Sequence, residues 1–493
     1  MAVPVETFFL DPDTQGTLQA RIQQMIASGV LSGRLQPGEK LPSSRGLAKH
    51  LGVSRITVTL AYAELVATDY LSSRDRSGYY VSETAPRPPA LPSSAPSETV
   101  VDWGRMIGPR IDAEAINKKP ADWAAYKYPF IYGQADPELF DHSSWRLCAT
   151  RALGQKDFAA LTADQYDEDD PHLVTFIARH ILPRRGISAR PEEILITLGA
   201  QNALWLAADI LLTQRRRAAI ETPCYPALRA ILEQARCSLS EVEVDAEGMP
   251  PARIAGDADV IFVTPSHQCP TNGTMNLRRR KRLLDRAQQI GAVIVEDDYE
   301  FEMSFLEPPL PALKSLDPDG RVIYVGSFSK SIFPGMRLGY LVGPEPFIRA
   351  ARALRGLVLR HPPGLMQRAV AYFLSLGHYD AQVARMGRVL HDRRSTMEAA
   401  IRTHGLTIAG SGAFGGSSFW MRAPDGVDTE ALAAALAPQG VLIEPGASFF
   451  SPGDRPVEFY RLGYSSISAA RIPDGIARLA DGIATLSRSA PAA

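Results

Sequence analysis

The residues best suited to covalent chemistry lie in the segment 327–330, which reads Ser-Phe-Ser-Lys and directly follows an apolar run. Ser327 and Ser329 precede Lys330, and Arg337 follows it seven residues later. A lysine amine can form a Schiff base with an aldehyde, while hydroxyls and an arginine can hold a phosphate dianion. The spacing therefore fits a lysine that binds pyridoxal phosphate. A surface lysine is the alternative interpretation, because an isolated Ser-x-Ser-Lys motif has little specificity.

An acidic segment follows another apolar run, at 292–296. A carboxylate of the segment Glu-Asp-Asp at 296–298 could pair with the protonated pyridine nitrogen of the same cofactor, which makes the ring an electron sink. Tyr299 could donate a hydrogen bond to its phenolic oxygen. The alternative for the acidic residues is a Mg²⁺ ligand or a helix cap, since both are common at strand ends in α/β proteins.

Two further segments could complete such a site. After the apolar run 194–197, the backbone amides of Ala200 and Gln201 open a predicted helix and could hold the phosphate. Tyr225 offers an aromatic ring for stacking, and His267 offers a polar group near the ring oxygen. Taken singly, an ordinary strand-to-helix turn and two satisfied core residues are the alternatives.

The elements that must position these residues form a predicted α/β domain. Fully apolar runs of four to six residues alternate with helical stretches, which is typical of a largely parallel sheet covered on both faces. The predicted strands are 194–197, 260–264, 292–296, 322–326 and 338–342. After about residue 387, helices alternate with half-buried strands at 418–422 and 459–462, which predicts a smaller α+β lobe.

The N-terminal region follows a different pattern. Three short helices are predicted, the second capped at 43–44 and the third capped by Ser54, and two short strands follow around a turn. A helix-turn-helix with a β-wing fits this order. Residues 40–63 contain four basic residues and no acidic one, which favours phosphate contacts on the turn and the third helix. A small protein-interaction domain with a solvated basic face is the alternative.

Composition sets the domain boundaries and the class of protein. The run 85–99 holds five prolines and no aromatic residue, so it reads as a semi-rigid linker. We predict an N-terminal domain at 1–84, a linker at 85–115 and a C-terminal domain at 116–493. A formal net charge of −1 excludes a highly basic nucleic-acid coat protein.

The cysteine content and the lack of long apolar runs predict a cytoplasmic protein that does not contact a membrane. The four cysteines form no Cys-x-x-Cys pair and read as reduced thiols. No signal peptide is visible at the N-terminus, and no apolar run approaches the ~18 residues that a membrane helix needs. No metal site is predicted.

The N-terminal motifs resemble the GntR family of bacterial regulators. The resemblance covers about residues 15–82 and rests on Leu-Gln-Pro-Gly-Glu-Lys-Leu-Pro-Ser-Ser-Arg at 35–45, Leu-Gly-Val-Ser-Arg-Ile-Thr-Val at 51–58, and the wing at 78–81. It implies a winged helix-turn-helix that binds double-stranded promoter DNA. The DNA contacts that it implies are Arg45, Arg55 and Thr57, with Ser43, Ser44 and Arg76 in support.

The C-terminal motifs, in their order along the chain, are similar to the fold-type I aminotransferases from about residue 128 to 468. This resemblance implies that Lys330 is the Schiff-base lysine, Asp297 the partner of the pyridine nitrogen and Tyr225 the stacking ring. It also makes Arg461, in the segment Tyr-Arg-Leu-Gly at 460–463, the arginine that binds an acid group of the ligand.

The fusion of these two halves is identified as a member of the MocR/GabR subfamily of transcriptional regulators. That resemblance implies a head-to-tail homodimer that senses a small amine or amino acid, or pyridoxal phosphate itself. The GABA-sensing member has an arginine where this chain has Ala227, so a taurine-like sulfonate is also a predicted effector. The alternative function is a working aminotransferase with an autoregulatory DNA-binding domain, because Lys330, Asp297, Tyr225 and Arg461 are all present.

Overall fold

A computed structural model describes residues 3–11, 15–74, 77–86, 101–107, 119–134, 136–164, 167–453 and 455–489. The chain divides into two compact units, Met1–Met106 and Ile107–Ala493. We call the first unit the head and the second the body. Most of the predicted linker lies outside the described residues, while its part at 101–107 includes the short helix α4 described below.

The head is a three-helix unit with a two-stranded wing. Its elements are α1 (Leu18–Leu31), α2 (Ser44–Leu51), α3 (Arg55–Ala67), β1 (Leu71–Arg74) and β2 (Gly78–Val81). The short helix α4 (Trp103–Ile107) lies where the first unit ends in the sequence. Ser43 caps α2 and Ser54 caps α3, as the sequence predicts. The two strands pair antiparallel, with Leu71 opposite Val81. The head has its own apolar core, which includes Ile22, Leu47 and Tyr62.

The large sheet of the body has seven strands in the order β4-β10-β9-β8-β7-β5-β6. These strands are β4 (Ile194–Thr197), β5 (Arg217–Thr222), β6 (Ser238–Glu243), β7 (Val260–Val263), β8 (Val293–Asp297), β9 (Val322–Ser327) and β10 (Gly339–Val342). Only β10 runs antiparallel to its neighbours. The five predicted strands are confirmed within one residue at each end, and the pattern missed β5 and β6.

Helices cover this sheet and connect it to the rest of the body. They are α5 (His142–Ala152), α6 (Gln155–Thr162), α7 (Pro171–Phe176), α8 (Ala200–Leu211), α9 (Pro226–Gln234), α10 (Leu277–Ile290), α11 (Glu345–Leu359) and α12 (Gly364–Ser375). Separate apolar clusters lie on the two faces of the sheet, because alternate strand residues belong to different clusters. Leu195 belongs to one cluster and Ile196 to another. Both faces are therefore buried, as a parallel sheet requires.

The predicted smaller α+β lobe is confirmed. Its four-stranded antiparallel sheet has the order β11-β12-β15-β14. The lobe and its connections contain β3 (Tyr128–Pro129), α13 (His378–Thr403), β11 (Thr407–Ile408), β12 (Ser418–Arg422), α14 (Thr429–Leu436), β13 (Val441–Leu442), β14 (Glu444–Pro445), β15 (Phe459–Gly463) and α15 (Ile472–Ser489). Through the parallel pair β13–β3, the segment at Tyr128 joins this lobe. Among the described helices, none is long and apolar enough to span a membrane.

Candidate functional site

Lys330 lies three residues beyond the end of β9. Its Nζ atom is 3.9 Å from the centroid of the Tyr132 ring, which lies three residues after the end of β3. Gly133 has a positive φ of 83°, which favours glycine, and a Cβ atom there would come within 2.7 Å of this Nζ. Desolvation lowers the pKa of Lys330 to about 8. The fold therefore holds an amine that is much easier to deprotonate than an ordinary lysine.

The two acids at the end of β8 have different surroundings. Asp298 pairs with the buried guanidinium of Arg185 at 2.7 Å and accepts a hydrogen bond from Tyr324 Oη at 2.8 Å. Within the described part of the chain, Asp297 Oδ1 is buried without a hydrogen-bond partner. Desolvation, reinforced by the charge of Asp298, raises the pKa of Asp297 to about 8. Asp298 Oδ1 also lacks a hydrogen-bond partner, but of the two acids only Asp297 has no ion pair among the described residues, so Asp297 is the acid that remains available to a cationic partner.

His267 supplies a second set of unused polar atoms. Both of its ring nitrogens are buried without a hydrogen-bond partner among the described residues. Desolvation lowers the pKa of His267, although the nearby Glu300 acts in the opposite direction. Orphaned buried polar atoms are costly, so these atoms indicate a ligand with polar substituents. Together with Lys330 and Asp297, they fit pyridoxal phosphate.

An anion cradle lies at the start of α8. Gly199 begins this helix without a side-chain cap, which leaves the amides at Ala200 and Gln201 available. The Arg337 guanidinium lies over the same turn and donates from Nη2 to the carbonyl of Leu198 at 3.1 Å. A Cβ atom on Gly199 would be only 3.1 Å from Nη2, so the close approach requires glycine. Amides at a helix N-terminus and a guanidinium are typical phosphate ligands.

The remaining predicted cofactor residues adjoin these groups. Tyr225 donates from Oη to Gln201 Oε1 at 3.4 Å, and both Asp297 and Arg337 act electrostatically on its hydroxyl. Ser329 donates its backbone N–H to Ser327 Oγ at 3.2 Å. Desolvation raises the pKa of Tyr299 well above its usual range. Tyr299 is therefore a neutral hydrogen-bond donor.

Arg461 is already paired within the chain, which the sequence does not reveal. Its Nε donates to Glu444 Oε2 at 2.7 Å across the β14–β15 register. The guanidinium lies 4.0 Å from the Tyr132 ring centroid and 4.7 Å from that of Phe449. Lys119 Nζ lies 3.9 Å from the second Glu444 oxygen. The site therefore presents two cations around one internal carboxylate.

A pocket lies beside Lys330, and of the predicted cofactor residues only Lys330 and Ser329 line it. Its polar lining includes Gly133, Gln134, Glu300, Ser329, Lys330 and Ser417. Glu300 accepts hydrogen bonds from Tyr132 Oη at 3.2 Å and from Ser417 Oγ. Sequence reasoning missed the roles of Tyr132, Glu300, Glu444 and Lys119. Only Tyr132 had a signal, because the segment Phe-Ile-Tyr-Gly-Gln at 130–134 lies at the start of the region that resembles aminotransferases.

Five of the six predicted DNA residues lie at the starts of two helices: Ser43, Ser44 and Arg45 at the start of α2, and Arg55 and Thr57 in the first turn of α3. Arg45 and Arg55 are exposed, and their side chains have no ion-pair or hydrogen-bond partner among the described residues. Ser43 Oγ accepts the Gly46 amide at 3.1 Å, and Thr57 Oγ1 lies 2.8 Å from Ser54 Oγ. Ser43 thus also serves as the cap of α2, and Thr57 contacts Ser54, which is the cap of α3. Ser44 is the first residue of α2, and Arg76 lies outside the described residues.

Comparisons with known proteins cover both units. Residues 18–81 match the family of bacterial regulatory proteins called the gntR family, and residues 163–479 match aminotransferase class I and II. The HTH-type transcriptional regulator TauR of Rhodobacter capsulatus is 58% identical over 480 residues, which cover 97% of this chain and 99% of the relative. The probable rhizopine catabolism regulatory protein MocR of Rhizobium meliloti is 30% identical over 97% of this chain and 96% of its own.

Solved structures resemble the body. The α-aminoadipate aminotransferase LysN of Thermus thermophilus has a TM-score of 0.71 and 28% sequence identity, and the match covers 79% of this chain and 100% of LysN. An aminotransferase class I and II fold implies that pyridoxal phosphate binds in the body. The gntR-family match implies that the head binds DNA.

Proposed function

The chain belongs to the MocR/GabR subfamily of GntR-family transcriptional regulators, and from this premise we propose how its two units work together. The head binds promoter DNA, and the body binds pyridoxal phosphate and a small amine-bearing acid whose arrival changes DNA binding. The observation that carries the proposal is the group of unpartnered polar atoms on Asp297 and His267 near the desolvated Lys330 amine. We divide the functions among residues 1–84, 85–115 and 116–493.

The body residues hold the cofactor by complementary chemistry. Pyridoxal phosphate, when bound, supplies an aldehyde that reacts with amines and a ring that withdraws electrons. Lys330 is the amine that holds the aldehyde, and Asp297 accepts a hydrogen bond from the protonated ring nitrogen. Tyr299 and His267 serve the ring oxygen, and Tyr225 stacks on the ring. The phosphate ligands are Ala200, Gln201, Ser327, Ser329 and Arg337.

The acid group of the effector is assigned to Arg461. Arg461 offers the guanidinium edge that Glu444 does not use, and a planar fork binds carboxylate or sulfonate oxygens strongly. Ala227 is a buried residue at the start of α9, and Arg229 beyond it is occupied by Glu241 at 2.6 Å. No second arginine is therefore supplied at this place for a long acid. A compact ω-amino acid or an aminosulfonate such as taurine fits better than GABA.

A homodimer completes the proposal. Large apolar side chains are exposed on helices of the body, among them Leu147, Phe158 and Leu357, the last of these 87% exposed. Exposed apolar groups of this size favour a protein partner. The head-to-tail arrangement expected for the subfamily would cover apolar surface and would give one particle two DNA-binding heads.

The decisive experiment separates DNA binding from cofactor binding in the full chain. Arg45→Ala and Arg55→Ala should each weaken binding to the protein's own promoter fragment by about tenfold or more, because each loses a phosphate or base contact. Neither should change the visible absorbance of the bound cofactor. Lys330→Ala should change the visible absorbance of the bound cofactor and lose the effector response, while promoter binding in the absence of effector stays unchanged.

The rival function is tested in the same preparation. With an amino donor and a 2-oxo acid, a working aminotransferase gives product over many turnovers, and a regulator does not. Sustained turnover together with unaltered promoter binding in both arginine variants would overturn the proposal. The similarity to regulators over 97% of the chain supports the regulatory reading over catalysis.

A further inference from the structure

Helix α3 has apolar residues on two opposite faces. Val58, Tyr62 and Leu65 are buried in the core of the head. Ile56 and Leu60, four residues apart, are 73% and 50% exposed on the other face. A helix on a small domain needs one apolar stripe to pack, so this second stripe has no structural task within the head.

Exposed basic residues lie on the same helix and on the neighbouring α2, and they indicate the occupant of the stripe. The acidic residue exposed on α3, Glu64, lies beyond Leu60 in its C-terminal half. Arg55 on the same helix is exposed, as are Arg45 and Lys49 on α2, and none has an ion-pair partner in the described part of the chain. Thr59 Oγ1 donates to the carbonyl of Arg55 at 2.9 Å, so its hydroxyl is already used. The face therefore offers cations and methyl groups and few free hydrogen-bonding groups. A polyanion with apolar groups on its surface matches it.

Double-stranded DNA meets both requirements. In a helix-turn-helix, the N-terminal part of the helix after the turn contacts base edges in the major groove. The apolar group that a base pair presents there is the C5-methyl of thymine. Resting on the proposed DNA-binding function, we propose that Ile56 and Leu60 recognise thymine methyl groups and so require thymine at defined operator positions. Ala63, exposed one turn further on, extends the same stripe.

The test replaces thymine by deoxyuridine, which lacks only the methyl group. A duplex is first selected from a random-sequence pool by the full-length protein, and single thymines are then replaced in turn. We expect affinity to fall about fourfold for each contacted methyl, which corresponds to about 0.8 kcal/mol. Replacement outside the footprint should change nothing. If no thymine in the footprint shows a difference, the proposal is wrong even though the protein binds DNA.

Variants assign the effect to the two side chains. Ile56→Ala should bind the thymine and deoxyuridine duplexes equally at one position, and Leu60→Ala should do so at a neighbouring position. Leu18→Ala, on α1 and 45% exposed, is the matched control and should keep the parent's discrimination. Both test residues are at least half exposed, so truncation leaves the core of the head intact. If Ile56→Ala abolishes all DNA binding, the affinities of the parent and of Leu60→Ala for the thymine and deoxyuridine duplexes still test the proposal.

Other results have distinct meanings. Unchanged discrimination in both variants would overturn the proposal. A changed oligomeric state with unchanged discrimination would also overturn it, because the stripe would then pack on a second copy of the chain. Failure of the parent to enrich any duplex from the pool would instead contradict the proposed DNA-binding function.

Discussion

At the scale of single residues, desolvation changes the chemistry of Lys330. With a pKa of about 8, roughly one tenth of its amine is uncharged at pH 7, against fewer than about one in a thousand for an ordinary lysine. As for any amine, the uncharged, reactive form increases as the pH rises, but the lowered pKa brings this rise down so that it is nearly complete above about pH 9. Burial in the fold thus makes Lys330 more reactive towards an aldehyde at neutral pH than an ordinary lysine.

This predicts a pH dependence for cofactor attachment to cofactor-free protein. The rate should rise about tenfold per pH unit below pH 8 and level off above it, since only the uncharged amine attacks an aldehyde. Stopped-flow absorbance measures the rate, and borohydride reduction followed by peptide mass analysis locates the adduct. Lys156→Ala, which changes an exposed lysine, is the control. An adduct that persists in Lys330→Ala would contradict the assignment.

Arg461 carries the prediction for the effector. Arg461→Lys should keep cofactor and DNA binding and weaken effector binding about 10- to 150-fold, because a lysine cannot copy a planar two-point contact worth about 1.5–3 kcal/mol. Titration of taurine and GABA against the cofactor absorbance measures both affinities. Arg422→Lys, an exposed arginine on the neighbouring strand β12, is the matched control. Equal affinity in parent and variant would refute the role of Arg461, and tight GABA binding would refute the inference from Ala227.

At the scale of elements, helix caps hold the DNA-binding turn in place. Ser54 Oγ accepts the Thr57 amide at 3.1 Å at the start of α3, directly after Gly52 ends α2. Ser54→Ala should lower the free energy of unfolding of the head by about 1 kcal/mol, because a Ser cap typically contributes that much. Urea unfolding of the fragment 1–106, which contains its own core, measures this change.

Two further substitutions separate the cap from DNA binding. Asn and Asp both cap helices well, so Ser54→Asn and Ser54→Asp should preserve stability. Only Asp adds a negative charge where phosphates are expected, so only Ser54→Asp should weaken DNA binding. If both variants bound DNA equally well, the N-terminus of α3 would lie away from the duplex.

At the scale of the whole molecule, the proposed dimer joins two heads. Full-length protein should bind a two-half-site promoter at least about 10²-fold more tightly than fragment 1–106, because the second contact becomes intramolecular. Fluorescence anisotropy at one fixed salt concentration measures both affinities, with a single half-site duplex as the control. Equal affinities on the two-half-site duplex would exclude cooperation between heads.

Local patterns determined most of the elements. Ser43 and Ser54 were predicted as caps because capping depends on residues within one turn. The central strands were predictable since each is a continuous apolar run, and the unpredicted β6 (Ser238–Glu243) has an alternating, largely polar pattern at the sheet edge. The family motifs also located Lys330, Asp297 and Arg461 by their position relative to these strands.

Tertiary structure decided which groups are free and which are paired. Asp297 and Asp298 are neighbours in sequence, yet only Asp298 meets Arg185, which lies 113 residues away. Arg461 faces Glu444 because β14 and β15 pair in one particular register, and short segments do not specify register alone. Tyr132 reaches Lys330 from a segment almost two hundred residues earlier. Which side chains contact each other depends on how segments far apart in the sequence come together in the fold. The spacing of residues within one segment carries no information about those contacts.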